Sequence, residues 1–143
     1  MKKKKTVMAF GAFDLLHAGH MHFLRQASRY GGYLVVVVAR DKTVEELKGN
    51  APTRNENERL EKVSRLGFVD KAILGDKENN KYDVIRRARP DIICLGYDQR
   101  SFTAGLEKWL DSMGLDIEIV RLEPYKAHKY KTSIIKQKGG KGE

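Results

Sequence analysis

The sequence contains little cysteine and no long apolar run. Its 143 residues include one cysteine, Cys94, which excludes an internal disulfide and a metal site built from several thiolates. No apolar run approaches the roughly 20 residues that a membrane-spanning helix requires, and the amino terminus lacks the apolar segment of a secretory signal. These absences predict a soluble, cytoplasmic protein. The apolar neighbours of Cys94 in DIICLG predict a buried strand.

The positive charge is concentrated at the two ends of the chain. Four lysines at residues 2–5 and six lysines at residues 126–143, set against Glu143, account for the whole net charge of +9, and residues 6–125 are formally neutral. A basic end can be solubilising, can bind nucleic acid, or can line a pocket for phosphorylated ligands. We interpret MKKKK as solubilising, because no periodic or aromatic pattern accompanies it. The neutral body makes a nucleic-acid partner an unfavoured hypothesis.

Five apolar runs alternate with amphipathic segments. A hydrophobic content of 41% over this length suits one compact domain. The runs TVMAF, YLVVVVA, KAILG, DIICLG and IEIVRL predict five strands. Near-continuous β-branched runs such as LVVVV are typical of strands covered on both faces, and alternation with helices indicates parallel pairing. We therefore predict a single doubly wound, Rossmann-like α/β domain with a five-stranded parallel sheet and helices on both faces.

Helical patterns occupy the segments between these strands. Met21, Leu24 and Ala27 recur every three residues and predict a helix over residues 20–30 that Gly31 and Gly32 terminate. An asparagine followed by glutamates predicts a capped helix over residues 55–66. Weaker patterns predict helices over residues 79–88, 103–113 and 132–138. Residues 1–5 and 139–143 are expected to be tails.

The stretch GAFDLLHAGH, residues 11–20, follows the first predicted strand. In doubly wound sheets, ligands bind beyond the carboxyl ends of the strands. His17 and His20 are three residues apart and share one face if both lie in the first helical turn. The free N–H groups of such a turn favour an anion, and Gly19 lets a bulky group approach the backbone. The stretch matches neither GxxxxGK[ST] nor GxGxxG, so we predict a phosphate site in which imidazoles replace the usual lysine.

Other roles for the two histidines remain open at this point. A zinc site needs about three protein ligands, and the remaining histidines, His22 and His128, have no obvious carboxylate partner. The pair could also be structural residues of a capped turn. A serine or cysteine nucleophile is less favoured, because neither residue type lies beside a credible base in the sequence.

The pattern GxFDxxHxGH, formed here by Gly11, Phe13, Asp14, His17, Gly19 and His20, resembles the signature of the HxGH nucleotidyltransferases. The segments VARDKTVEELKG, NERLEKV, VDKAILG and RPDIICLGYDQ most closely resemble the archaeal FAD synthases of that group. The resemblance implies one nucleotidyltransferase domain over residues 1–143. It also implies transfer of AMP from ATP to FMN by in-line attack at the α-phosphorus, giving FAD and pyrophosphate.

The resemblance also implies roles for individual residues. His17, His20 and Lys48 would be catalytic, with the imidazoles on the triphosphate and the lysine closing over it. The implied nucleotide-binding residues are Ala12, Phe13, His17, Ala18, Gly19, His20, Arg59, Asp98, Tyr125, Thr132 and Ser133. Simpler alternatives exist for several of these: a solvated lysine at 48, a surface ion pair between Arg59 and a neighbouring glutamate, a turn former at 98, and helix caps at 132 and 133.

The implied ligands are ATP, FMN and a divalent cation, expected to be Mg²⁺ held mainly by phosphates and water. The sequence shows no dedicated metal cage. Asp14 could assist the cation through water or could fix the loop by hydrogen bonding. Candidates for an aromatic wall against the flavin are Tyr97, Phe102, Trp109 and Tyr125, although Trp109 in GLEKWL also fits core packing. Members of the family commonly form dimers, so a homodimer is a further hypothesis.

Two other functions compete with the adenylyltransferase. One is a cytidylyltransferase that makes a CDP-alcohol from CTP and glycerol 3-phosphate or another polyol phosphate. Against it, this chain has KTSIIK where that relative has ISTTKI, and Gly67 where that relative has the arginine of RYVD. The other is a nucleotide- or RNA-binding module without turnover, which the presence of both motif histidines and the neutral body disfavours.

Overall fold

The computed structural model describes residues 4–76, 82–96 and 100–122, and for residues 100–104 it describes the backbone only. The described chain contains a five-stranded sheet in the order β3-β2-β1-β4-β5, in which every neighbouring pair is parallel. The strands are β1 (Thr6–Gly11), β2 (Tyr33–Val38), β3 (Lys71–Leu74), β4 (Ile92–Leu95) and β5 (Glu118–Arg121). All five predicted strands are therefore confirmed, as is their parallel pairing.

Within these described ranges, five helices connect the strands: α1 (Ala18–Ser28), α2 (Asp41–Lys48), α3 (Glu56–Ser64), α4 (Asp83–Ala88) and α5 (Arg100–Met113). The predicted start of α1 at residue 20 is wrong by two residues, because the side chain of His17 caps the helix. Asn55 is confirmed as the cap of α3, where it forms a capping box with Glu58. None of the described helices is long and apolar enough to cross a membrane. The helix predicted over residues 132–138 lies outside the described residues.

Helix α2 was not predicted as a separate element. Val44 is its only buried residue, and its one other apolar residue, Leu47, is 75% exposed, so two apolar positions alone mark this helix in the sequence. The helix begins directly after β2, and Gly49 ends it in the left-handed conformation with a φ of 81°. Helix α2 therefore starts at the same edge of the sheet as the histidine loop.

The sheet separates two apolar cores, which confirms the prediction of helices on both faces. On one face, β1 and β2 pack against α1 and α3 through residues that include Val7, Leu24, Val36 and Val63. On the other face, α4 and α5 pack through residues that include Met8, Ile85, Leu106 and Leu110. Trp109 packs against this second core and lies 5.5 Å from the ring of Tyr82, which supports its alternative role in core packing.

The strand order places the topological switch point between β1 and β4. From β1 the chain proceeds outward through β2 and β3, and it then crosses back to β4 on the other side of β1. In open α/β sheets, ligands bind beyond the carboxyl ends of the strands at such a switch point. The histidine loop follows β1, and the segment that begins with Gly96 follows β4.

The burial of Cys94 gives a direct test of this architecture. Its side chain is completely buried. Burial, reinforced by the negative charge of Glu118, raises the pKa of its thiol to about 12. We expect the folded protein at pH 8 to react with a thiol reagent only as it unfolds, whereas protein in urea should react at once with one equivalent. Rapid labelling of the folded protein would contradict the central position of β4.

Candidate active site

His17 combines two structural tasks at the start of α1. Its backbone is extended, with a φ of −138° and a ψ of −178°, and its Nδ1 atom accepts a hydrogen bond of 3.0 Å from the N–H of Gly19. Because Nδ1 is the acceptor, the neutral ring carries its proton on Nε2. The exposed side of the ring therefore presents an N–H donor beside the positive end of the helix.

The ring of His20 stacks on the ring of His17. Their centroids are 3.8 Å apart and the ring planes differ by 22°. On its other side, His20 meets the edge of Phe13 at 5.4 Å with an angle of 76°. The structure thus brings the two motif histidines together on one side of the helix start, as their spacing predicted. The third histidine of the helix, His22, contacts Gln26 instead.

Two glycines provide the space that this arrangement needs. A Cβ atom at Gly19 would lie 2.9 Å from Cε1 of His17, and one at Gly11 would lie 2.6 Å from Cζ of Phe13. Phe13 itself has a φ of 52°, which non-glycine residues rarely adopt, and its ring is 4% exposed. The turn after β1 is therefore held by burial of the Phe13 ring beneath Gly11.

Asp14 fixes the histidine loop to the segment that precedes α3. Its two carboxylate oxygens accept hydrogen bonds from the N–H groups of Thr53, at 2.8 Å, and Arg54, at 2.9 Å. Desolvation alone would raise the pKa of Asp14, but these bonds and the charge of Arg59 outweigh it and hold the pKa below its usual value. The structure supports the loop-fixing role over a water-mediated contact with a cation.

Arg59 is the only buried polar side chain among the residues that the structure describes, with an exposed fraction of 0%. Its Nε donates to the carbonyl of Arg54 (2.9 Å), its Nη1 to the carbonyls of Ala12 (2.8 Å) and Ala39 (2.7 Å), and its Nη2 to Oδ1 of Asp41 (2.7 Å). The alternative of a surface ion pair with a neighbouring glutamate is therefore wrong. The guanidinium instead joins the segments after β1 and β2.

Arg40 and Glu56 extend this network to β3. Arg40 donates through Nε to the carbonyl of Gly75 at 2.7 Å, and its Nη1 lies 3.2 Å from Oε2 of Glu56. The other oxygen of Glu56 accepts from the N–H of Asp41 at 2.9 Å. Sequence reasoning missed Arg40, Asp41 and Glu56. The sequence feature that could have identified them is the presence of charged residues directly after a buried strand and at the start of a helix.

The remaining predicted residues are distributed along the edge of the sheet or lie outside the described residues. Ala18 and Gly19 form the first turn of α1, and Lys48 is exposed in the last turn of α2. Tyr97, Asp98, Tyr125, Thr132 and Ser133 lie outside the described residues, as does the side chain of Phe102. Within the described chain, no group of three histidine, cysteine, aspartate or glutamate side chains is arranged to hold a metal ion.

Comparisons with known proteins agree with this geometry. Residues 8–138 match the family described as Cytidylyltransferase-like. A protein of Thermococcus sibiricus named FAD synthase is 42% identical over 138 residues, which cover 96% of this chain and 93% of the relative. One of Thermoplasma acidophilum with the same name is 44% identical over 132 residues, which cover 92% of each chain.

Two solved structures resemble the fold. A Thermoplasma volcanium protein, described as a lipopolysaccharide core biosynthesis protein, has a TM-score of 0.81 and 42% identity, with coverage of 86% of this chain and 99% of the other. An Archaeoglobus fulgidus protein described as having unknown function has a TM-score of 0.69 and 19% identity, with coverage of 82% and 89%. The second likeness concerns the fold alone.

The buried network predicts a large effect of Arg59→Gln on stability. The shorter, neutral side chain would leave several of the four acceptors unsatisfied, and we expect a loss of about 3 kcal/mol in the free energy of unfolding. Urea unfolding followed by circular dichroism measures this loss. The matched control is Arg29→Gln, which changes an exposed arginine after α1 and should alter stability by less than about 0.5 kcal/mol. Equal effects of the two substitutions would contradict the structural role of Arg59.

Proposed function

Because the chain belongs to the cytidylyltransferase-like family, we propose on the geometry of its site that it is an FAD synthase, an enzyme that transfers AMP from ATP to FMN. The observation that carries nucleotidyl transfer is the stacked pair of imidazoles at the start of α1, beside the switch point between β1 and β4. Curated relatives named FAD synthase, 42% and 44% identical over more than nine tenths of the chain, favour this activity over the cytidylyltransferase alternative.

The reaction needs no covalent enzyme intermediate. An oxygen of the FMN phosphate attacks the α-phosphorus of ATP and forms a new P–O bond. The bond from that phosphorus to the oxygen bridging the α- and β-phosphates breaks, and pyrophosphate leaves with the bonding electrons. Any proton on the attacking phosphate passes to solvent, and no group is oxidised or reduced. Catalysis then depends on positioning and on donors directed at the growing negative charge.

His17 and His20 supply such donors in this proposal. The hydrogen bond from Gly19 orients the ring of His17 so that Nε2 can donate to a phosphate oxygen. The stacked ring of His20 extends the same surface. The N–H groups of Ala18 and Gly19, in the first turn of α1, add the positive end of the helix. Both rings are held in place before substrate binds, so little reorganisation is required in the transition state.

Arg59 and Asp14 act as positioning residues. Arg59 holds the carbonyl of Ala12, next to Phe13, and Asp14 holds the segment at Thr53 and Arg54. With a buried guanidinium already bonded to four oxygens, Arg59 influences a nucleotide through the loop, and its direct contact with the nucleotide stays a prediction. Direct roles for Lys48, Asp98, Tyr125, Thr132 and Ser133 also stay predictions, as do the homodimer and the cytoplasmic location.

A divalent cation enters the proposed reaction with ATP. Nucleotidyltransferases generally use such an ion, and we propose Mg²⁺ as part of a metal–ATP substrate, held by phosphate oxygens and water. Both oxygens of the nearby Asp14 carboxylate already accept backbone N–H groups. This arrangement fits a cation that the phosphates carry better than one that a protein cage retains.

A product assay tests the proposed activity. Purified protein with Mg²⁺ and FMN should form FAD from ATP but not a flavin dinucleotide from CTP, as followed by chromatography. His17→Ala and His20→Ala should each lower the rate by roughly 100- to 1000-fold, because each removes a preorganised donor. His22→Ala is the matched control on the same helix and should retain most of the activity. Pyrophosphate release only from CTP with glycerol 3-phosphate would establish the cytidylyltransferase instead.

Gly19→Ala tests the orientation of His17 without removing its side chain. The added Cβ would displace a ring whose Cε1 lies 2.9 Å away, and a displacement of this kind can lower the rate by about 100-fold. Stability should change by less than about 1 kcal/mol, because the higher helix propensity of alanine offsets the loss of the His17 cap. Gly67→Ala is the control, since nothing lies within 4 Å of its added Cβ. Full activity of Gly19→Ala would show that the observed ring position is not required.

A further inference from the structure

A shallow groove lies beside the histidine loop, on the side that faces α3. Its lining residues are Leu15, Leu16, Arg54, Lys62 and Arg65. We propose that this groove, which we call the α3 groove, is the subsite for the acceptor FMN. The phosphate would lie towards Arg54, and the isoalloxazine ring would lie against Leu15. The inference rests on the proposed FAD synthase activity and deepens it by assigning residues to the acceptor.

In-line displacement places the acceptor on this side of the loop. The attacking and leaving oxygens must lie on opposite sides of the α-phosphorus. The switch point lies between β1 and β4, whereas α3 packs on β2 and β3, on the other side of β1. A nucleotide bound beyond the switch point against His17 and His20 therefore leaves the α3 side open to a second substrate.

The hydrogen bonds of Asp14 place the Arg54 part of the groove next to the histidine loop. Leu15 and Leu16 occupy the two positions between Asp14 and His17. The N–H group of Arg54 donates to Asp14, and the carbonyl of Arg54 accepts from the buried Arg59. The backbone that carries the Arg54 side chain is thus fixed beside the reacting centre, while the side chain itself lines the groove.

The chemistry of the groove matches the two parts of FMN. Leu15 is 50% exposed, so a flat apolar ring that covers it would remove apolar surface from water. The three cationic residues complement a dianionic phosphate and the electron-rich carbonyl groups of the ring. Arg65 also pairs with Glu61 at 2.8 Å, where both side chains are well exposed. We therefore assign the main electrostatic contributions to Arg54 and Lys62.

Binding of FMN and of riboflavin, which lacks the phosphate, tests this assignment on the full-length protein by flavin fluorescence titration. Arg54→Gln should raise the Kd for FMN about three- to tenfold, the effect expected of one partly exposed charged contact, and should leave riboflavin binding unchanged. Leu15→Asn and Lys62→Gln should each raise the Kd for both flavins by a few-fold. Lys108→Gln, which changes an exposed lysine of α5, should alter neither Kd.

Steady-state kinetics separate the subsite from a general structural effect. Each groove variant should raise the KM for FMN by a similar factor and leave the KM for ATP within about twofold. If the unaltered protein forms FAD but the groove variants bind FMN as tightly as Lys108→Gln does, the acceptor lies elsewhere and the proposed function stands. If the unaltered protein neither binds FMN nor forms FAD, the proposed function itself fails, and the subsite fails with it.

Discussion

The burial of one guanidinium is the constraint on which the edge of this sheet depends. A charged group removed from water is costly unless its hydrogen bonds are satisfied, and Arg59, with no exposed surface, finds four acceptors in the segments after β1 and β2 and before α3. Its requirement for these oxygens fixes the position of the segment before α3 relative to the paired ends of β1 and β2. This network also positions the histidine loop, because Arg59 holds the carbonyl of Ala12, and Ala12 directly precedes the turn at Phe13.

The two imidazoles show how a helix start can be adapted to phosphate chemistry without a lysine. A helix cap usually uses a short hydroxyl, amide or carboxylate side chain. At position 17 the cap is an imidazole, whose Nδ1 accepts the hydrogen bond. In the neutral tautomer that can accept at Nδ1, the proton is on Nε2. One hydrogen bond therefore stabilises the helix and orients the donor. This coupling explains why Gly19, whose N–H makes the bond, must also lack a side chain.

The sequence predicted those parts of the molecule in which local pattern and tertiary structure agree. The five strands are apolar runs bounded by polar residues, and each became a strand of the sheet. The sequence does not predict helix α2, because this helix buries only one residue, Val44. The sequence alone suggests an ion pair between Arg59 and a neighbouring glutamate such as Glu58. The partners in the structure include Ala12, which is 47 positions away, and local sequence patterns carry little information about such long-range contacts.

The proposed site separates selection of the nucleotide base from selection of the acceptor, with one on each side of the histidine loop. In the proposed reaction, the imidazoles and the first turn of α1 would contact phosphate groups, which all nucleoside triphosphates share, so they would not distinguish ATP from CTP. We therefore expect the base to be selected on the β4 side of the switch point, where Arg121 donates to the carbonyl of Gly96 at 2.7 Å. Under the proposal for the α3 groove, the acceptor is selected on the α3 side, where the side chains of Arg54 and Lys62 line the groove and take no part in the hydrogen bonds of Arg59. Either side chain can then vary without removing a partner of the buried guanidinium.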